Sequence, residues 1–138
     1  MISHTSDYAL RAVIVLAAEQ RGQPLSAEAI AEATGAPRNY MGKTLNALVK
    51  AGVLNSARGP QGGFSLALPA EGITLARIID CFVEPIINSR CLLGNRPCDA
   101  ANACSAHKLW THINKSRREP FANTTIADLI GTSNQQEF

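Results

Sequence analysis

No carboxylate interrupts the chain between Glu32 and Glu71, while Arg38, Lys43, Lys50 and Arg58 all fall inside that interval. The formal net charge of +2 over 138 residues conceals this basic stretch, and a segment of one sign is a candidate surface for a polyanion. Aromatic residues are scarce, 5% against 46% hydrophobic. The apolar mass is mostly alanine, leucine and isoleucine, which suits closely packed helices. No apolar run reaches the length of a membrane span, and Met1-Ile2-Ser3-His4 does not open like a signal peptide, so the expected location is the cytoplasm with no membrane partner. There is no CXXC redox pair, no GXXXXGK[ST] phosphate loop, no internal repeat and no low-complexity segment. His4, His107 and His112 stand without the partners a general base needs, so no enzymatic activity is expected. The chain is long enough to bury a core without a disulfide framework, and in a reducing compartment cysteines serve metals, catalysis or redox sensing.

Three of the four cysteines lie in one stretch, CLLGNRPCDAANACSAH from Cys91 to His107. Six residues separate Cys91 from Cys98, five separate Cys98 from Cys104, and a histidine follows three positions on. Thiolates and imidazole hold zinc, copper(I) or iron-sulfur clusters, whereas calcium or magnesium would call for oxygen donors. Gly94, Asn95, Pro97, Asp99 and Asn102 make this a polar loop in which buried, inert thiols are out of place. Cys81 sits in an apolar run and reads as a packed structural thiol.

Along the chain, Ser6 is positioned to cap a helix from about Asp7 to Gln20 that is apolar nearly all round, the mark of a central helix. Asp7 falls in its first turn with Arg11 four residues on, a local ion pair. Ser26 caps a second helix, Ala27 to Thr34, and Gly35 breaks it. Pro37 opens a third at its first position, running to Ala51 with Met41, Leu45, Leu48 and Val49 inward and Thr44 among the residues on other faces. Two helices joined by a glycine turn form a helix-turn-helix. A strand over Val53 to Ser56, a turn over Arg58 to Gly63 and a returning strand over Phe64 to Leu68 add a hairpin, or wing. Thr74 caps a short helix to about Val83. A long helix from about Ser105 to Arg118 carries one apolar stripe, Ala106, Leu109, Trp110 and Ile113, with Pro120 as its stop. Thr124 and Thr125 can cap a last helix, Ile126 to Ile130, and the chain ends in a tail from Gly131. The fold class is therefore mainly α with a small β-hairpin: a winged helix-turn-helix plus a long C-terminal dimerisation helix. The expected organisation is one compact domain, with residues 1–83 forming the winged helix-turn-helix region, 84–104 the cysteine loop, 105–131 the dimerisation and last helices, and 132–138 a tail.

The ordered set SDYALRAVIVLA (6–17), LSAEAIAEATGAPRNYMGKTLNALVKAGVL (25–54), GPQGGFSLA (59–67) and CX6CX5CXXH (91–107) resembles the bacterial iron-sulfur transcription regulators of the IscR, NsrR and RirA group, the Rrf-two family. The resemblance implies a homodimer with long C-terminal helices crossing at its interface, and a DNA affinity switched by an iron-sulfur cluster, 2Fe-2S or 4Fe-4S, that senses iron, redox state or nitric oxide. It makes Cys91, Cys98 and Cys104 the thiolate ligands. His107 occupies the place of the fourth ligand in IscR-like members, and Asp7 that of the aspartate which NsrR-like members bring from the partner subunit; both stay open. The spacing of the first two cysteines is one residue longer than expected of IscR.

On DNA, the helix after Pro37 would enter the major groove, with Arg38, Asn39, Tyr40 and Lys43 facing base edges and phosphates. Ser26 would donate to a phosphate, and Arg58 would reach the minor groove or backbone from a wing tip completed by Gln61 and Gly62. A dimer would present two such units to a roughly palindromic double-stranded operator, as a repressor. The competing readings are a winged-helix regulator with a structural Cys3His zinc site, whose usual cysteine spacing is closer than here, and a partner-binding adaptor that never touches DNA.

Overall fold

The computed structural model describes residues 3–19, 22–82, 91–93 and 96–132. Helix α1 spans His4–Ala18, α2 Ala27–Thr34 and α3 Arg38–Lys50. Strands β1 (Leu54–Ala57) and β2 (Gly63–Leu66) form a two-stranded antiparallel sheet in which Leu54 faces Leu66 and Ala57 faces Gly63. Helix α4 covers Leu75–Ile79 and runs into a 3-10 turn, Asp80–Phe82; α5 spans His107–Asn123 and α6 Ile126–Thr132. Among the described residues no helix is long and apolar enough to cross a membrane.

The apolar circumference of α1 makes it the axis of the fold, packed against α2, α3, α4, α6 and β2. Ala9, Ala12, Val13 and Leu16 are buried along it. Small alanines on one face let α2 and α3 approach closely, and Ile30, Met41, Leu45 and Leu48 close the core from their side. Its first turn differs from the sequence expectation. Ser3, not Ser6, is the cap: the Ser3 Oγ accepts the Ser6 N–H at 3.2 Å. Ser6 is buried inside the helix, where its own hydroxyl lies 3.0 Å from that of Ser3.

Further corrections have local causes. Pro37 is the cap residue of α3 rather than its first helical residue. Thr44 faces the core, because its hydroxyl is satisfied by donating to the Tyr40 carbonyl at 2.9 Å. The strands are shifted by about a residue, to Leu54–Ala57 and Gly63–Leu66. Pro120 does not stop α5, which continues to Asn123. The proline leaves the Ser116 carbonyl, four residues back, without its helical partner, and that residue is exposed to water. The last helix includes Gly131 and ends at Thr132, so the tail begins later than expected; residues 133–138 lie outside the described residues, as does the predicted helix end at Val83.

One backbone junction, made by two hydrogen bonds, ties the C-terminal helices to the core. Thr74 and Thr125 form an isolated antiparallel bridge, with the Leu75 N–H donating to the Thr124 carbonyl at 3.0 Å and the Ile126 N–H to Ile73 at 2.9 Å. Cys81 packs half-buried against the core and donates to the Arg77 carbonyl at 3.1 Å. Burial pushes its thiol pKa up.

Candidate nucleic-acid interface and thiol loop

Helix α2 is opened by Ser26, whose Oγ accepts the Ala29 N–H at 3.1 Å, and closed by Gly35 in the left-handed conformation at φ 73°. This turn sets α3 across α2 with Met41, Thr44, Leu45 and Leu48 facing inward. The opposite side of α3 is left to solvent: Arg38, Asn39, Tyr40 and Lys43 are all exposed, with Tyr40 at 49%. The structure therefore gathers these four sequence-predicted residues on one helix face, with no carboxylate among them.

The wing is fixed to this unit by more than its own turn. Leu25 and Phe64 form an antiparallel bridge, with N–H to carbonyl distances of 3.0 and 2.8 Å, so β2 is tied to the residue just before Ser26. The close approach requires glycine at 63: φ is +142°, and a Cβ there would run into the Leu25 carbonyl. Gly62 donates its N–H to the Gly59 carbonyl at 2.9 Å, closing the wing tip. Arg58 and Gln61 are exposed at that tip and Gly62 is half-buried. Ser26 and β2 are thereby held side by side.

Sequence reasoning missed Tyr8. It packs edge-on against Tyr40, ring centroids 6.0 Å apart at 71°, joining α1 to the exposed face of α3. The signal was available in the rarity of the residue, since these are the only two tyrosines in the chain.

The thiol loop assembles at the other end of the molecule's sequence, against the first turn of α5. Cys91 Sγ and Cys104 Sγ lie 3.2 Å apart, and Cys98 Sγ lies 3.1 Å from His107 Nδ1. All four side chains are half-buried and the cysteines are free thiols. The His107 N–H donates to the Cys104 carbonyl at 3.0 Å, so one member of each pair sits in a single turn. The loop is closed by the Cys91 N–H on the Arg96 carbonyl at 2.8 Å and by Arg96 Nη2 on the Asn102 carbonyl at 3.2 Å. Asp99 accepts from the Ala101 N–H and from Asn102 Nδ2, both at 2.9 Å. These two donors, Asn102 first, hold its carboxyl below the usual range. Either thiol of the Cys91 and Cys104 pair can donate while both are protonated. When Cys91 ionises, Cys104 is the donor, and that bond, followed by the Leu93 N–H and Arg96, lowers the Cys91 pKa.

Three thiols and an imidazole, standing as two pairs, are donor types of a soft or borderline metal site. Among the described residues no three Cys, His, Asp or Glu side chains are arranged around one ion; the four donors stand as two pairs. Asp7 is elsewhere, on α1, in an ion pair with Arg11 at 2.9 Å.

On α5 the expected stripe is only partly packed. Trp110 and Ile113 are half-buried, Asn114 is buried among them, and Leu109 is 60% exposed.

Comparison with known proteins agrees with this architecture. The family model Rrf2, described as an iron-dependent transcriptional regulator, matches residues 2–132. A protein of Aquifex aeolicus named as an HTH-type transcriptional regulator is 36% identical over 100% of this chain and 96% of its own length. The HTH-type transcriptional regulator IscR of Yersinia pseudotuberculosis is 29% identical over 89% of this chain and 74% of its own. Among solved structures, CymR, the global cysteine regulator of B. subtilis, superposes with a TM-score of 0.81 at 28% identity, covering 97% of this chain and 98% of that one. IscR of T. potens gives 0.75 at 27% identity, covering 99% and 93%. The chain therefore belongs to the Rrf2 family: it is a winged-helix, DNA-binding transcriptional regulator and not an enzyme.

Proposed function

We propose that this regulator is a homodimer whose affinity for a roughly palindromic operator is switched by an iron-sulfur cluster held at Cys91, Cys98, Cys104 and His107, and that it acts as a repressor in the cytoplasm. The observation that carries the reading is that Cys104 and His107 share the turn that begins α5, with Cys91 beside the first and Cys98 beside the second. His107 is preferred over Asp7 as the fourth ligand because it already lies beside Cys98, while both oxygens of Asp7 face Arg11. A bound cluster supplies a redox-active, exchangeable centre at this turn, and one nitrogen ligand among three thiolates makes it labile enough for sensing.

The rest is the work of the chain's own residues. His107 is the first residue of α5, so a rearrangement of the loop is felt at the start of that helix. Helix α5 packs on α4, α4 on α1, and α1 on α3. That contiguous path links the thiol loop to the DNA-facing side chains, and the exposed Leu109 gives α5 an apolar position for the second copy. Arg38, Asn39, Tyr40 and Lys43 read the major groove, Ser26 takes a phosphate, and Arg58, with Gln61 and Gly62, places the wing on the minor groove or backbone. The two states must differ in DNA affinity for the switch to work.

Anaerobic purification tests this directly. Coloured protein containing iron and sulfide is expected; colourless protein with one zinc per chain would replace the cluster by a structural zinc site.

A further inference from the structure

We propose that Cys91 and Cys104 are a dithiol that closes to an intramolecular disulfide under a hydroperoxide, while Cys98 stays reduced beside His107. This goes beyond metal binding and stands on the thiol geometry alone. The two sulfurs are 3.2 Å apart, and a disulfide needs about 2.05 Å. The remaining distance of about 1.2 Å is within reach of small side-chain rotations in a loop of this kind. Two hydrogen bonds already tie the loop, the Cys91 N–H on the Arg96 carbonyl and the Arg96 side chain on the Asn102 carbonyl. Both thiols are half-buried, so a small oxidant can reach them.

The partition among the cysteines is set by their partners. Cys98 faces His107 Nδ1 at 3.1 Å and Cys81 donates to the Arg77 carbonyl on α4, so neither has a second sulfur as its partner with which to close, as Cys91 and Cys104 do. In the first step one thiol of the pair takes the terminal oxygen of ROOH, becoming a sulfenic acid and releasing ROH. In the second, the other thiol attacks that sulfur, the S–S bond forms, and the hydroxyl leaves as water with the thiol proton. Two thiols and one hydroperoxide thus give a disulfide, one alcohol and one water. Closure withdraws two of the four donors from any metal, so disulfide and metal exclude each other at this loop.

The test treats the full chain with hydrogen peroxide, with and without prior chelator, and blocks remaining thiols by alkylation. Cleavage ahead of Asp99 then separates Cys91 and Cys98 from Cys104 before non-reducing mass spectrometry. The expected product is a cross-linked peptide pair lighter by two hydrogens, with Cys98 alkylated. It should persist in Cys98→Ser and vanish in Cys91→Ser and in Cys104→Ser. A link that survives in Cys91→Ser, a link only between chains, or oxidation that stops at sulfinic acid would overturn the proposal. Iron content of the untreated protein is read separately, so failure of the disulfide and failure of the cluster reading give different results.

Discussion

Arg11 holds both carboxylate oxygens of Asp7, Nε on Oδ1 at 3.1 Å and Nη2 on Oδ2 at 2.9 Å. Its Nη1 also reaches the Thr34 carbonyl at 3.4 Å, the last residue of α2. One guanidinium therefore joins the first turn of the central helix to the end of the first helix of the helix-turn-helix. Because the pair is about one-third exposed, it contributes little to stability, on the order of 0.5 kcal/mol. Asp7→Asn is expected to shift the unfolding midpoint only slightly and to leave the iron-to-protein ratio unchanged, whereas His107→Ala is expected to lower that ratio severalfold. Iron assay of the anaerobically purified variants checks both; the reverse order would move the fourth ligand to Asp7.

Arg58 stands at the wing tip with the β1 and β2 ladder behind it. If it neutralises a phosphate, Arg58→Ala should weaken binding and reduce the slope of log affinity against log salt by roughly 1. Fluorescence anisotropy over a salt series measures the slope.

Glycines 59 and 63 both have positive φ, +103° and +142°, but only Gly63 lies against another backbone. Gly59→Ala should therefore cost strain alone, while Gly63→Ala adds a collision with Leu25 and separates the wing from Ser26. The Gly63 variant should be the less stable of the two, by about 1–3 kcal/mol relative to the parent. Urea unfolding gives the difference.

The α6 cap predicts a pH response. The Asp128 carboxylate accepts the Thr125 N–H at 2.9 Å, and the Asp128 N–H donates to Thr125 Oγ1 at 3.2 Å, a reciprocal cap. The Thr125 backbone bond, then its side chain, lowers the Asp128 pKa below 3.8. A depressed folded-state pKa gives stability that is present above 3.8 and is lost as pH falls through the folded value. Asp128→Asn should remove that part of the acid sensitivity, seen as a flatter unfolding midpoint between about pH 5 and pH 2.

The helices and the wing were legible because each carries its own local code: Ser26, Gly35 and Thr74 sit at helix ends in their expected roles, and the apolar spacing of Met41, Leu45 and Leu48 marks the buried side of α3. The start of α1 differs from the Ser6 cap expected from residue type alone, because Ser6 is buried inside the helix and the Ser3 Oγ takes its N–H. Thr44 reads as a surface residue until its hydroxyl is seen bonded to Tyr40. In the thiol loop, sequence clustering singles out Cys91, Cys98, Cys104 and His107, but not their division into Cys91 with Cys104 and Cys98 with His107. The contacts of Tyr8 with Tyr40 and of Arg11 with Thr34 join residues far apart in the chain, which no local spacing encodes.

The affinity of one protein preparation for one operator fragment, selected from genomic DNA and measured anaerobically before and after chelator treatment, tests the central claim most directly. Iron and sulfide are expected in the untreated sample, with an affinity that changes at least about tenfold, or about 1.4 kcal/mol, when they are removed. Equal affinity in the two states would contradict the switch.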